Sequence, residues 1–313
     1  MMHRPVLLQE VLDLLLGASS RPSSGIYFDG TIGLGGHAEA ILKQDPTAQV
    51  VGMDRDETAL EQVQKRLSKE MDKRLFLFHG NFKDFKEAQN MFPARKFDGA
   101  LLDLGFSSFQ VDQAERGFSF QKEGPLDMRM DLSQKKTAAD LVNGLSEREL
   151  SDLFFKYGEE RHAARIAKAI VMRRAQKPFK TTLELAHLIM ARAPSGTNRR
   201  IHSATRVFQA LRIAVNDEID GLPEAIEAIF LSLNVGGRLA VISFHSLEDR
   251  IVKRSFLRLE HPCDCPAALP ECVCGKKPLG RRITRKPVAA GDREILMNPR
   301  ARSAKLRVIE RTA

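Results

Sequence analysis

The chain has 313 residues, 43% of them hydrophobic and 28% charged, with a formal net charge of +9. That length holds one large domain or two moderate ones with ample core, and no apolar run reaches the roughly 18 residues of a membrane span. The basic balance favours a polyanionic partner, and four cysteines confined to residues 263–274 are no secreted disulfide framework.

At the N-terminus, "HRPVLLQEVLDLLLG" has the outline of a signal peptide, but Glu10 and Asp13 interrupt it. Leu8, Val11, Leu12 and Leu15 recur at helical spacing and Gly17 is a natural stop, so the segment is predicted as an amphipathic helix of a cytoplasmic protein. Strand-like runs follow at 25–30, 48–54, 74–82 and 96–105, most of them ending in Gly or Asp, with helical stretches such as 56–70 between them. That alternation predicts an α/β domain with a parallel sheet covered on both faces.

The glycine-rich "DGTIGLGGH" joins the first strand to the next helix, and Asp54 ends the second strand. A loop of this kind lets backbone N–H groups approach a ligand at a helix N-terminus, and an acid so placed accepts ribose hydroxyls. NAD and S-adenosylmethionine (SAM) are the two candidate ligands. The register departs from the GxGxxG of a pyrophosphate site, and His37 fills the place near a would-be phosphate. An acid-led loop suits SAM, which carries a sulfonium and no phosphate. Phe82 after the third strand and Asp103 at the end of the fourth point to the same crevice, beyond the carboxyl ends of the strands.

Residues 112–209 show no convincing strand. Helical signals replace it, with capping boxes at Ser146–Glu149 and Thr181–Glu184 and a basic-faced stretch at 159–175. Strand character returns at 236–246 and in "EILMN" and "KLRVIE". The organisation expected is a sheet domain in two parts, 1–111 and 210–313, interrupted by a helical substrate-recognition domain at 112–209. Phe106, Phe109, Phe118 and Phe120 suit a clamp for an unstacked base, or equally a seam of packing. "KKPLGRRITRK" (276–286) carries six basic residues and no acid, and with "RRIHSATR" (199–206) it is a candidate RNA contact. In "CDCPAALPECVC", Cys263, Cys265, Cys272 and Cys274 could close a tetrahedral structural zinc site, or remain free thiols.

Taken in order, "HRPVLLQEVL", "DGTIGLGGHA", "MDRD", "LLDLGFSSFQVD", "ERGFSF", "GPLDMRMD", "FFKYGEERHAARIAKAIV", "FQALRIAVNDE" and "ISFHSLEDRIVK" resemble the bacterial 16S ribosomal RNA cytidine N4-methyltransferases, the RsmH (MraW) family. The resemblance runs over nearly the whole chain. It implies a class I SAM-methyltransferase (Rossmann-like) sheet with an inserted all-helical domain, acting on a cytidine in the decoding region of small-subunit ribosomal RNA. It implies SAM contacts at Gly35, Gly36, His37, Asp54, Phe82, Asp103 and Gln110. One departure stands out: Phe106 occupies a position where the family more usually has a small residue, often Val. For catalysis the first choice is Asp103, which could accept a hydrogen of the target amine, with His245 and Ser246 as alternatives. A DNA cytosine-N4 methyltransferase and a ribosome-assembly factor that binds SAM or RNA without turnover are the rival readings.

Overall fold

The computed structural model describes residues 5–17, 24–70, 73–90, 96–106, 108–192, 203–266 and 273–313, without the side chains of residues 87–88 and 108–109. In chain order the first elements are α1 (Leu8–Leu16), β1 (Ile26–Asp29), α2 (Gly36–Gln44), β2 (Gln49–Asp54), α3 (Glu57–Arg66), β3 (Leu75–His79), α4 (Lys86–Asn90) and β4 (Phe97–Asp103). Six helices follow: α5 (Ser108–Asp112), α6 (Ala138–Gly144), α7 (Glu147–Gly158), α8 (Ala163–Arg174), α9 (Thr182–Arg192) and α10 (Ser203–Asn216). Then come α11 (Leu222–Leu231), β5 (Leu233–Ser243), α12 (Ser246–Glu260), β6 (Gly280–Arg282), α13 (Asp292–Met297) and β7 (Lys305–Arg311).

The chain divides into two compact units, residues 1–105 with 221–313, and Phe106–Asp220. α10 runs through residue 210, where the sequence pattern had suggested a return to the sheet domain. In the first unit the seven strands lie in the order β3-β2-β1-β4-β5-β7-β6. β3, β2, β1, β4 and β5 are parallel neighbours, and β7 runs antiparallel between β5 and β6. This is the class I methyltransferase arrangement.

Alternation along the strands decides which layer each side chain joins. Tyr27, Val50, Leu101 and Ile242 pack on one face with Val11, Leu12 and Leu15 of α1, Ile41 of α2 and Val63 of α3. Phe28, Val51, Leu102 and Val241 pack on the other with Ile226 and Ile229 of α11 and Val252 and Phe256 of α12. All four residues of β1 are buried, as a central parallel strand covered on both sides requires. α1 buries the apolar stripe expected of it and ends at Gly17.

The helical unit has its own core. Leu141 of α6, Phe154 of α7, Ile166 and Ile170 of α8, Leu185 and Ile189 of α9, and Phe208 and Leu211 of α10 meet there. Both capping boxes form. Ser146 and Glu149 exchange backbone and side-chain hydrogen bonds at the start of α7, and Thr181 and Glu184 do so ahead of α9. Among the described residues, β-pairing in this unit is confined to a single bridge between Pro125 and Thr181.

One expected strand is a helix. "EILMN" begins at Gly291 and Asp292 as α13, with Leu296 and Met297 left exposed. A strand needs a partner to satisfy its backbone, whereas Gly291 followed by Asp292 and Glu294 in the first turn favours a helix start. The run at 74–82 is also shorter than expected. β3 stops at His79: the Gly80 N–H still donates to the Asp54 carbonyl oxygen at 2.9 Å, and the chain then turns into a 3₁₀ segment at Phe82–Asp84.

Candidate active site

The glycine loop hangs over the carboxyl edge of the sheet on short backbone bonds. Gly30 N–H donates to Leu101 O at 3.0 Å, Ile32 N–H to Met53 O at 3.0 Å, and Gly35 N–H to Ile32 O at 2.7 Å. Gly35 has a left-handed backbone, φ 73°, immediately before α2, and a Cβ there would stand 3.2 Å from both Val63 methyls. Gly36 is needed for space, since a Cβ would come within 2.3 Å of Pro5. The loop therefore delivers the N-terminus of α2 to the sheet edge, where its partial positive charge suits a carboxylate.

Three strands end in acids at this edge: Asp29 on β1, Asp54 on β2 and Asp103 on β4. Glu248 joins them from the first turn of α12, after β5. Asp54 is locked in place. Its Oδ2 accepts Gly33 N–H at 2.7 Å and its Oδ1 accepts Asp56 N–H at 2.9 Å. A carboxylate has about four acceptor sites, so a ribose diol still has lone pairs to meet. Burial pushes the Asp54 carboxyl up, and these backbone donors hold it down in part.

Asp29 is buried and accepts Thr31 N–H at 3.2 Å. Its carboxyl is pushed up to about 7, first by burial and then, against the Thr31 bond, by the charge of Asp54. Asp103 rises well above the carboxylate range through burial and the charges of Asp29 and Glu248. Its backbone N–H donates to Thr31 Oγ1 at 2.6 Å. Among the described residues its buried Oδ1 has no hydrogen-bond partner. Mutually repelling carboxylates at one edge reject a pyrophosphate and favour a cation. That donor set, with a helix N-terminus and an orphaned carboxylate oxygen, fits SAM, which has a sulfonium, an ammonium, a carboxylate and a ribose.

Of the predicted residues, Gly35, Gly36, His37, Asp54, Phe82 and Asp103 all belong to the sheet unit. The His37 ring is buried, and its Nε2 donates to Val6 O at 3.0 Å. Nδ1 lies 4.0 Å from Asp103 Oδ2, beyond hydrogen-bond reach. The ring thus ties the segment before α1 to the loop. Phe82 is buried in the apolar layer, beside Gly30. Gln110 is buried on α5 of the helical unit.

His245 caps α12, and its Nδ1 accepts Glu248 N–H at 3.4 Å. Its Nε2 is 3.1 Å from Glu248 Oε1 without hydrogen-bond alignment. Glu248 Oε2 in turn accepts Phe244 N–H at 2.8 Å. Asp29 and Glu248 were not among the sequence candidates. Their signals were the acid that leads the glycine loop and the third helical position of "HSLE".

Within the helical unit Phe106 is 40% exposed, with Phe118 stacked at 5.7 Å and the Arg212 guanidinium 4.3 Å from its ring centre. Phe118 and Phe120 pack in the helical core, Phe120 edge-on to Phe208. The Phe109 side chain lies outside the described residues. In the basic run, acids from elsewhere answer part of the charge. Lys276 pairs with Asp264, Arg281 with Glu310 and Arg282 with Glu260. Lys277, Arg285 and Lys286 are exposed. Of the second basic segment, residues 199–202 lie outside the described residues, and Arg206 pairs with Glu160 at 3.8 Å. Among the cysteines, Cys263, Cys265 and Cys274 are brought together, and Cys272 lies outside the described residues. Among the described residues no helix is long and apolar enough to cross a membrane.

The sequence profile of the MraW methylase family matches residues 1–312. Over 309 residues the chain is 50% identical to the ribosomal RNA small subunit methyltransferase H of Carboxydothermus hydrogenoformans, covering 99% of this chain and 97% of that protein. It is 51% identical over 312 residues to the protein of the same name from Syntrophotalea carbinolica, with 99% and 98% covered. The counterpart from Halothermothrix orenii is 50% identical over 311 residues, with 99% and 98% covered.

Proposed function

The chain belongs to the MraW methylase family, and from that premise we propose that it methylates N4 of one cytidine in the decoding region of 16S ribosomal RNA, using SAM. The small ribosomal subunit is the substrate particle and the cytoplasm the compartment. Whole-length identity of about half to proteins named ribosomal RNA small subunit methyltransferase H supports this reading. The net charge of +9 supports it too, being of the sign a nucleic-acid substrate demands.

In the bound state SAM supplies a methyl group on a positively charged sulfur. The N-terminus of α2, set by Gly35 and Gly36, receives the carboxylate of the amino-acid end. Asp54 receives the ribose hydroxyls on its remaining lone pairs. Phe82 lines the adenine side.

Asp103 carries the chemical part of the proposal, because its Oδ1 is buried at the end of β4 without a hydrogen-bond partner among the described residues. The N4 amine of cytosine is a poor nucleophile, since its lone pair is delocalised into the ring. A carboxylate that accepts one N4 hydrogen localises that lone pair and takes the proton as nitrogen becomes cationic. A positive sulfur nearby favours the ionised form that this role needs. His245 holds the start of α12 by accepting the Glu248 N–H on Nδ1, so it serves to position that acid.

The test is methyl transfer from radiolabelled SAM to small ribosomal subunits, naked ribosomal RNA and DNA in parallel, followed by nucleoside identification. The expected product is N4-methylcytidine from subunits. Label only in DNA would overturn the substrate, and SAM binding without label anywhere would favour an assembly factor. In the same assay, Asp103→Asn should lower kcat by a factor on the order of 10²–10⁴. A rate within a few-fold of the parent would remove Asp103 from catalysis.

A further inference from the structure

Between α12 and β6 the chain passes through Cys263, Cys265 and Cys274, whose Sγ atoms all lie within 4.8 Å of one another. Free cysteines ordinarily behave as small buried hydrophobes. Here Cys263 is exposed and the other two are half-buried, so apolar burial does not account for the gathering of three sulfurs. A tetrahedral zinc with Zn–S of about 2.3 Å spaces its sulfurs about 3.8 Å apart.

The surroundings suit thiolates. The Lys276 ammonium lies 2.6 Å from Asp264, and the exposed Lys277 follows it. Cationic neighbours favour deprotonated sulfur, and each thiol that binds metal releases its proton to solvent. All three donors are soft sulfurs, a set that selects zinc over the oxygen-seeking magnesium or calcium.

We propose that Cys263, Cys265 and Cys274 ligate one zinc ion, which clips the exit of α12 to the start of the basic run at Lys276 and takes no part in methyl transfer. Cys272 lies outside the described residues, and the proposal stands on the other three. The clip fixes the residues that carry Lys276 and Lys277 to the sheet unit, so the basic run leaves α12 from a set point.

The experiment is elemental analysis of the full chain, purified under reducing conditions from zinc-supplemented cells, together with cobalt(II) exchange. The expected result is about one zinc per chain. Cobalt should give tetrahedral d–d bands and a near-ultraviolet thiolate-to-metal charge-transfer band. Both signals should vanish in a Cys263→Ser/Cys274→Ser variant that keeps the parent's far-ultraviolet circular dichroism and SAM affinity. Zinc below about a tenth of an equivalent in the parent would overturn the proposal, as would zinc retained by the variant. If the variant fails to fold, the parent's cobalt spectrum decides, since weak octahedral bands without charge transfer would refute thiolate ligation. A disulfide among the three, found by peptide mapping after alkylation at lysis, would refute it too. None of these readouts depends on methyl transfer, so the metal assignment and the enzymatic one can fail separately.

Discussion

Replacing Asp29 by Asn should change how the stability of the ligand-free protein depends on pH. Asp29 is only 2% exposed, so its electrostatic cost needs no discount for solvent. Its carboxyl moves from 3.8 to about 7. At about 1.4 kcal/mol per pH unit, ionising it in the folded state costs about 4 kcal/mol. Because the folded value is raised, the stabilising difference is fully present below about pH 4 and is lost as pH rises through about 7. Between pH 5 and pH 8 the parent should therefore lose roughly 3 kcal/mol that Asp29→Asn does not lose. The protein supplies its own probe for this. It has no Trp and two Tyr: Tyr27 is buried on β1 and Tyr157 lies on α7. In a Tyr157→Phe background, tyrosine fluorescence reports unfolding of the sheet unit alone. Urea titrations of parent and variant at pH 5, 6, 7 and 8 give the difference directly. A gap between them that stays constant within about 0.5 kcal/mol over this range would refute the reasoning and mean that Asp29 titrates as an ordinary acid.

Asp54→Asn exchanges one acceptor oxygen for a donor where Gly33 and Asp56 N–H groups already point, so calorimetry should show SAM affinity reduced by at least about tenfold. An unchanged dissociation constant would place the ribose elsewhere. Gly35→Ala forces a Cβ onto φ 73° and against Val63. It should lower the denaturation midpoint by the equivalent of about 1–2 kcal/mol and weaken SAM binding along with it. Full stability would show that the loop relaxes at no cost.

The sequence made the sheet's strand ends readable because each carries a local mark. Asp54 and Asp103 close apolar runs, and parallel topology takes such positions to one edge. The interplay of the acids was not readable in that way. Asp29, Asp103 and Glu248 are far apart in the chain, and their mutual repulsion exists only once β1, β4 and the start of α12 are neighbours. His37 shows the same limit. Its place in the loop was evident, but its tie to the Val6 carbonyl depends on where the segment before α1 returns. Local chemistry marked the capping boxes at Ser146 and Thr181 without ambiguity. The run "EILMN" carried strand-like side chains, and the backbone preference at Gly291 and Asp292 prevailed there. In 276–286 the lack of acids within the run concealed Asp264, Glu260 and Glu310, which answer half of its charges from other elements.

The order of the strands also constrains the path by which the protein acquires its shape. Asp103 of β4 is level with Ile242 of β5, so the pairing at the heart of the sheet closes a loop of chain that contains the whole helical unit. That unit has a separate core of comparatively local contacts, and it can collapse early, sparing the sheet the closure of a long unstructured loop. β6 can join only after β7, its sole ladder partner among the described strands, is seated against β5. A substitution that loosens the helical core should thus slow the pairing of β4 with β5 without touching either strand, while β6 still cannot dock before β7.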